Sequence, residues 1–273
     1  MEPRLNILVA YPYATPQVLD ALKTVGPNLR FLLDSGAFTA WKAGKPIELD
    51  DYCRFLEGLP VKPWRYFLLD VIGDPQGTLR NYKTMLKRGF TPVPIFTRGE
   101  DPSVLNDYYK TSDVVGIGGL VGTPGNRGFV RGIMRHVGDR KVHWLGFTNL
   151  EFVKVYKPYM CDSSGWDQSR YGMIRFYLGK GRFCYVKRQN LRSIGPKIRD
   201  VITSYGFSVE ALASASSWRG AGSPSEQINC ASMVRACLDI EKNLGTKQFM
   251  AEVGAPKIQS LHHHFRRLTK PQP

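Results

Sequence analysis

The 273-residue chain has no apolar run of the roughly 18 residues a membrane-spanning helix needs, so a transmembrane helix is excluded. Its first residues, MEPRLNILVAYPYATP, hold an apolar stretch too short and too poor in small-residue cleavage signals for a secretory peptide. An intracellular protein is expected. Cysteine is scarce, odd in number and scattered: Cys53, Cys161, Cys184, Cys230 and Cys237, with no CxxC or CxC pair. Neither a zinc knuckle nor a disulfide framework follows from such spacing. The triplet His262-His263-His264 is the one histidine cluster, and adjacent histidines do not share a helix face, so it reads as a solvated tail. No metal and no cofactor are expected. There is no GxxxxGK[ST] for a nucleoside triphosphate and no GxGxxG opening a dinucleotide fold.

Acidic residues are also in deficit. Twenty-three Asp plus Glu stand against 38 Lys plus Arg, a net charge of +15. An excess of that size attracts polyanions at long range, and nucleic acid is the first candidate. The distribution supports this. Arg175, Lys180, Arg182, Lys187, Arg188, Arg192, Lys197, Arg199 and Arg219 fall in one stretch that holds only Asp200 and Glu210. Aromatics interleave there (Phe176, Tyr177, Phe183, Tyr185, Tyr205, Trp218), giving cations for phosphates beside flat side chains for bases.

Short apolar runs recur, each followed by a turn signal and a helix-like stretch: NILVAY (6–11), RFLLDS (30–35), RYFLLDV (65–71), TPVPIF (91–96), VVGIGGL (114–120), VHWLGF (142–147), YMCDSS (159–164) and, weakest, RFCYVK (182–187). Thr15 and Asp74 precede prolines as helix N-caps. INCASMVRACLDIEKNL reads as the strongest amphipathic helix. Eight strand candidates alternating with helices in a chain near 250 residues predict an α/β fold, a (β/α)8 TIM barrel, with a doubly wound open sheet as the alternative. One domain over residues 1–273 is expected, with a basic, loop-rich insertion at about 188–224 whose SASSWRGAGSPS is a Gly/Ser-rich loop.

Three of the strand candidates end in aspartate: Asp34 after FLL, Asp70 after YFLL and Asp162 after YMC. A carboxylate directly after an apolar strand is partly desolvated, which costs free energy unless it is paired or used. Any one of them reads equally as a helix cap or a satisfied core acid. Three at equivalent strand ends, where a parallel barrel gathers its active site, point to a shared pocket. The glycines of VVGIGGLVG (Gly116, Gly118, Gly119, Gly122) read either as a tight turn or as backbone open to a planar ligand. Paired carboxylates with no metal suit an oxocarbenium-like sugar carbon, in glycoside hydrolysis or in base exchange on a nucleoside, and the basic surface favours the latter. Phe38 and Trp41 read as core residues or, for Phe38, as a stacking wall; His143 and Cys161 read as structural, and Asp167 as a weaker alternative nucleophile.

At these residues the chain resembles the tRNA-guanine transglycosylases. Asp34-Ser35-Gly36-Ala37-Phe38 looks like their DSGGFQ or DSGGYQ motif. LLDVIGDP falls where they have the FDE aspartate, IFTRGED (95–101) where they have VQGG, and VGIGGLVG where they have AVGGLAVGE. VHWLGFTNLEF resembles HYLMGVGTPDDL, and YMCDSS resembles the FDCV segment. The matches run in order from about residue 30 to 165. The chain departs from the family in lacking a CxCxxC…H zinc site, in GA for GG, in Thr39 for the motif Gln and in TRGED for VQGG. A short, zinc-free relative is most similar to the virus-type 7-deazaguanine DNA transglycosylases, which places it in the host cytoplasm if it is viral.

The resemblance implies a pentosyltransferase that exchanges guanine in DNA for a 7-deazaguanine such as the 7-cyano form. The same exchange on tRNA, or hydrolysis of an N-glycosidic bond, are its alternatives. It implies Asp162 as nucleophile and Asp34 as proton donor and acceptor. Asp70 would read the purine edge, with Ser35 beside it, and Phe38 and Leu145 would sandwich the base. The amides of Gly118, Gly119 and Leu120 would meet its oxygen or 7-substituent, with Arg98 nearest to the family's base-binding Gln. Arg175, Lys180, Arg182, Lys187 and Arg188 would hold the nucleic acid, and loss of the zinc region leaves a monomer plausible with the oligomeric state open.

Overall fold

The computed structural model describes residues 2–121, 125–251 and 254–270. Strand β1 (Leu5–Ala10) is buried at every position, the polar Asn6 included, as a strand must be when both faces of a parallel sheet are covered. It is joined by β2 (Leu29–Asp34), β3 (Arg65–Tyr66), β4 (Ile95–Phe96), β5 (Val114–Ile117), β6 (Lys141–Trp144) and β7 (Met160–Ser163). The helices between them are α1 (Pro16–Val25), α2 (Ala37–Lys42), α3 (Leu49–Gly58), α4 (Pro75–Lys87), α5 (Val104–Thr111), α6 (Asn126–Val137) and α7 (Leu150–Tyr156). Thr15 and Asp74 do cap α1 and α4: Val18 N–H donates to Thr15 Oγ1 (3.4 Å) and Gly77 N–H to Asp74 Oδ1 (2.9 Å).

The eighth parallel strand is not RFCYVK. It is β10 (Lys247–Met250), which pairs with β1 on one side and β7 on the other. RFCYVK instead supplies β9 (Phe183–Lys187), antiparallel to β8 (Met173–Tyr177) in a separate hairpin. The β-rich composition of β9 drew the expectation, whereas β10 opens with Lys247 and Gln248, polar residues that are nonetheless buried. The result is an eight-stranded parallel sheet, curled and flanked by helices, in the order β3-β2-β1-β10-β7-β6-β5-β4. Beyond its end strands, Phe67 and Val93 form a parallel bridge: Val93 N–H donates to Tyr66 O (2.8 Å) and Leu68 N–H to Val93 O (3.1 Å).

Between β7 and β10 the chain builds a second apolar cluster, with the hairpin, α8 (Pro196–Ser204), α9 (Val209–Ala213) and the start of α10 (Pro224–Leu244) around Ile174, Phe176, Leu191, Ile202 and Leu212. The Gly/Ser-rich segment is partly ordered by side chains: Trp218 Nε1 donates to Leu212 O (2.7 Å) and Ser217 Oγ to Ala211 O (2.5 Å). Helix α10 serves both clusters and is therefore not amphipathic. Met233, Val234 and Cys237 face the main core, and Ile228 and Ala231 face the second. Its polar residues satisfy the edge of β8, where Asn229 Oδ1 accepts from Arg175 N–H (2.9 Å) and Ser232 Oγ from Tyr177 N–H (2.7 Å). The histidine triplet is not a tail either. It lies in α11 (Ala255–Thr269), where His264 is buried, contacts Gln227 Oε1 through Nε2 (2.8 Å) and is pulled down to about 4 by burial.

Candidate active site

Parallel strands gather their C-terminal ends on one side of the sheet, and three carboxyls arrive there. Asp34 ends β2, Asp162 lies in β7, and Asp70 follows the Phe67–Leu69 continuation of β3. Burial pushes Asp34 up to about 7, the charges of Asp70 and Asp162 push the same way, and the Gly36 and Ser35 amides oppose them. Burial likewise pushes Asp70 up to about 6, against hydrogen bonds from its own amide and from Ser35. The buried and half-buried cations Arg30, Arg65 and Lys257 make their ion pairs elsewhere, with Glu241, Asp113 and Asp167.

Local backbone fixes two of the carboxyls in the same way. Gly36 N–H donates to Asp34 Oδ2 (2.9 Å) and Gly146 N–H to Asp162 Oδ1 (3.0 Å). Both glycines have left-handed backbone, φ 76° and 66°. A Cβ at Gly36 would lie 2.3 Å from Pro12 Cδ, and one at Gly146 would lie 2.2 Å from Val121 Cγ2. Only glycine fits either turn.

Asp162 has a second partner that sequence reasoning treated as structural. His143, fully buried in β6, brings Nε2 to 2.8 Å from Asp162 Oδ1. Its Nδ1 is buried with no partner among the described residues. An ionised carboxylate only accepts, so with Asp162 charged the imidazole proton sits on Nε2. Oδ1 then receives two donors, while Oδ2 has none among the described residues. Nothing in the sequence links His143 to Asp162, because their contact depends on β6 and β7 being neighbours.

Several expected residues act differently from their expected roles. Ser35 is fully buried, its hydroxyl donating to Asp70 Oδ1 (3.2 Å) and accepting from Ala37 N–H (3.3 Å), so it orients Asp70 and does not reach a ligand. Gly118 N–H is spent on Phe96 O (2.9 Å) within the sheet. The Gly119 and Leu120 amides have no backbone acceptor among the described residues, although the Leu120 side chain is buried. Gly122 lies outside the described residues. Leu145 is half-buried, its Cδ1 close over Gly116, where a Cβ would stand 3.0 Å away. Phe38 is 37 % exposed and carries Lys42 Nζ 4.4 Å above its ring. Arg98 is exposed, with its guanidinium 5.3 Å from the Phe129 ring. Asp167 is held by Lys257 and Ser169; burial would raise it, but those partners keep it below the usual carboxylate range. It is therefore not a free nucleophile. Cys161 is fully buried and burial pushes its thiol well up, which leaves it inert.

Comparison of the chain with protein-family models, with curated proteins and with solved structures found no match. What the site can do therefore rests on its geometry.

The basic stretch divides. Lys180, Arg182, Lys187 and Arg188 are exposed on and just beyond the β8–β9 hairpin. Arg175 is not: it is 7 % exposed, its guanidinium packed 3.8 Å from the Phe183 ring, because β8 turns that side of the strand inward. It cannot serve as a phosphate contact. Arg188 and Arg192, one turn apart, instead line an open cleft of about 360 Å³ with Gln189 and Ala213. A second cleft of about 270 Å³ runs beside Asp70, walled by Trp41, Pro46, Ile47, Leu69 and Ile72. Trp41, expected in the core, is 57 % exposed there. Among the described residues no helix is long and apolar enough to cross a membrane.

Proposed function

We propose that the chain is a base-exchanging transglycosylase acting on nucleic acid, of the tRNA-guanine transglycosylase type and most like the 7-deazaguanine DNA transglycosylases. One observation carries the reading: a carboxylate with one oxygen held by two donors, and the other without a donor among the described residues, stands in the same site as a carboxyl that keeps its proton to about 7. The sheet is read as a closed (β/α)8 barrel, a reading supported by the Phe67–Val93 bridge between the β3 and β4 ends.

In this mechanism Asp162 Oδ2 attacks C1′ of the target nucleotide while the C1′–N9 bond breaks. Protonated Asp34 gives its proton to the departing guanine. The sugar remains as an ester of Asp162, whose carbonyl oxygen Oδ1 still accepts from His143 and Gly146. The 7-deazaguanine then attacks C1′ through N9, its N9 proton passes to Asp34, and the ester bond to Oδ2 breaks. His143 is a positioning residue: it turns Oδ2 toward the sugar and steadies the carboxylate as it leaves. Asp70, ionised above about 6, accepts from the N1–H and 2-amino group of a guanine-like edge. The target base reaches this pocket by leaving its stack or from a single strand. The exposed cations Lys180, Arg182, Lys187 and Arg188 hold the backbone.

The test is incubation with labelled 7-cyano-7-deazaguanine and either duplex DNA, single-stranded DNA or tRNA. Label is expected in DNA. Label in tRNA alone overturns the choice of polymer, and label in none overturns base exchange. Release of free guanine without incorporation identifies a hydrolase.

A further inference from the structure

We infer that the cleft beside Asp70 is a second base site, which holds the nucleobase next to the exchanged nucleotide on the same strand. The inference rests on the reading that the substrate is a polynucleotide, and adds to it a place for a neighbour that the three aspartates do not touch. Helix α2 buries Ala37 and Ala40 on one side and leaves the Trp41 indole exposed on the other, stacked against Phe38 (centroids 6.0 Å apart) and open toward the cleft. Facing it are Pro46, Ile47, Val71 and Ile72, an apolar wall with room for a ring. An indole exposed over an apolar slot of that size is a stacking platform, since every base offers a π-face.

The polar atoms of the cleft set what the ring carries. Asp70 serves the exchanged base: Ser35 holds its Oδ1, and its other oxygen is given to the guanine edge in the proposed function. Asn81 donates its amide to Leu69 O (2.9 Å), which leaves its carbonyl oxygen as the acceptor for this cleft. An acceptor beside a ring favours a base with an exocyclic amino group over one without. The lining includes neither Asp34 nor Asp162, so the occupant lies beside the reacting sugar carbon and not on it. Asp70 stands between the two positions. Lys42 and Lys45 are exposed at this edge, without a carboxylate partner among the described residues. A free base would give those ammonium groups no counter-ion; a nucleotide of the strand brings its phosphate.

The experiment uses single-stranded DNA oligonucleotides with one target guanine and 2-aminopurine, a fluorescent purine with an exocyclic amino group, placed immediately 5′ or immediately 3′ of it. With the wild-type protein, fluorescence is expected to be quenched strongly at one of the two positions by stacking on Trp41. Trp41→Ala should abolish that quenching and raise KM for the oligonucleotide about tenfold with little change in kcat, the scale of one lost base stack. Trp41→Phe should restore most of both. Equal fluorescence at both positions, or quenching that survives Trp41→Ala, overturns the site. Incorporation of labelled 7-deazaguanine in the same tubes reports separately on base exchange, so loss of that activity and loss of the stacking site are told apart.

Discussion

The two ends of the parallel strands treat charge in opposite ways. At their N-terminal ends, cations meet carboxylates and aromatic faces. Arg30 Nη1 donates to Asn6 Oδ1 and Glu241 Oε1 (both 2.8 Å), and Arg65 grips Asp113 with two bonds (2.7 and 3.0 Å). Trp64 lies 5.3 Å from the Arg30 guanidinium and 5.0 Å from that of Arg65, and Lys247 Nζ lies 3.9 Å from the Tyr159 ring. At the C-terminal ends three acids crowd together, while the buried and half-buried cations Arg30, Arg65 and Lys257 make their ion pairs elsewhere. The first end lowers the free energy of the fold. The second raises it, and a cost retained at one spot is what the proposed chemistry would require.

Substitutions at each end sharpen that contrast. The largest effect is expected from Asp162→Asn, which should lower exchange roughly 10³-fold or more and remove any covalent protein–nucleic acid adduct on denaturing gels, with stability little changed. An adduct that persists would refute Oδ2 as the attacking atom. Next is Arg30→Met at the other end. It strands Glu241 and should cost about 3 kcal/mol in denaturant unfolding while kcat stays near wild type. A large fall in kcat without loss of stability would erase the division between the ends.

His143→Phe should lower exchange by about 10- to 100-fold, since Phe67 and Phe249 already surround the ring and the change removes chiefly the donor to Oδ1. His143→Gln, which retains a donor, should recover part of the rate. Equal losses in both would mean that packing, not the hydrogen bond, matters.

The smallest effect is thermodynamic. Folded Asp34 titrates near 7 against its ordinary 3.8, so the folded state holds the extra proton between those values. Stability from this group is therefore full below about 4 and falls as pH rises through 7. Asp34→Asn should abolish exchange yet stabilise the protein by about 1–2 kcal/mol at pH 8, allowing for partial hydration at the mouth, with no gain near pH 4. In the wild type, kcat/KM should be bell-shaped, rising as Asp70 ionises near 6 and falling as Asp34 loses its proton near 7. Asp70→Asn should remove the rising limb.

The three aspartates were legible because an apolar run ending in a carboxylate is unusual enough to notice. The order of the first seven parallel strands was legible from turn signals between apolar runs. What stayed hidden was set by contacts distant in the chain. Lys247 and Gln248 are polar, and only the gap between β1 and β7 makes them a strand. Arg175 counted as a surface cation until the hairpin turned it inward. Trp41 counted as core because hydrophobicity is the only property one residue displays alone. His143 could not be linked to Asp162 without knowing that β6 and β7 are neighbours.

The position of β10 has a consequence for how the chain assembles. The first strand formed is completed by the last, and the helix that precedes that last strand is shared with the second cluster. Until Lys247–Met250 has been made, β1 and β7 each present an unpaired row of amides and carbonyls, the kind of edge that recruits stray strands. Such a long-range closure is slow to find. A newly synthesised chain that still lacks this strand would leave its sheet unstitched, and that is the stage at which its open edges would most need to be kept apart from other copies.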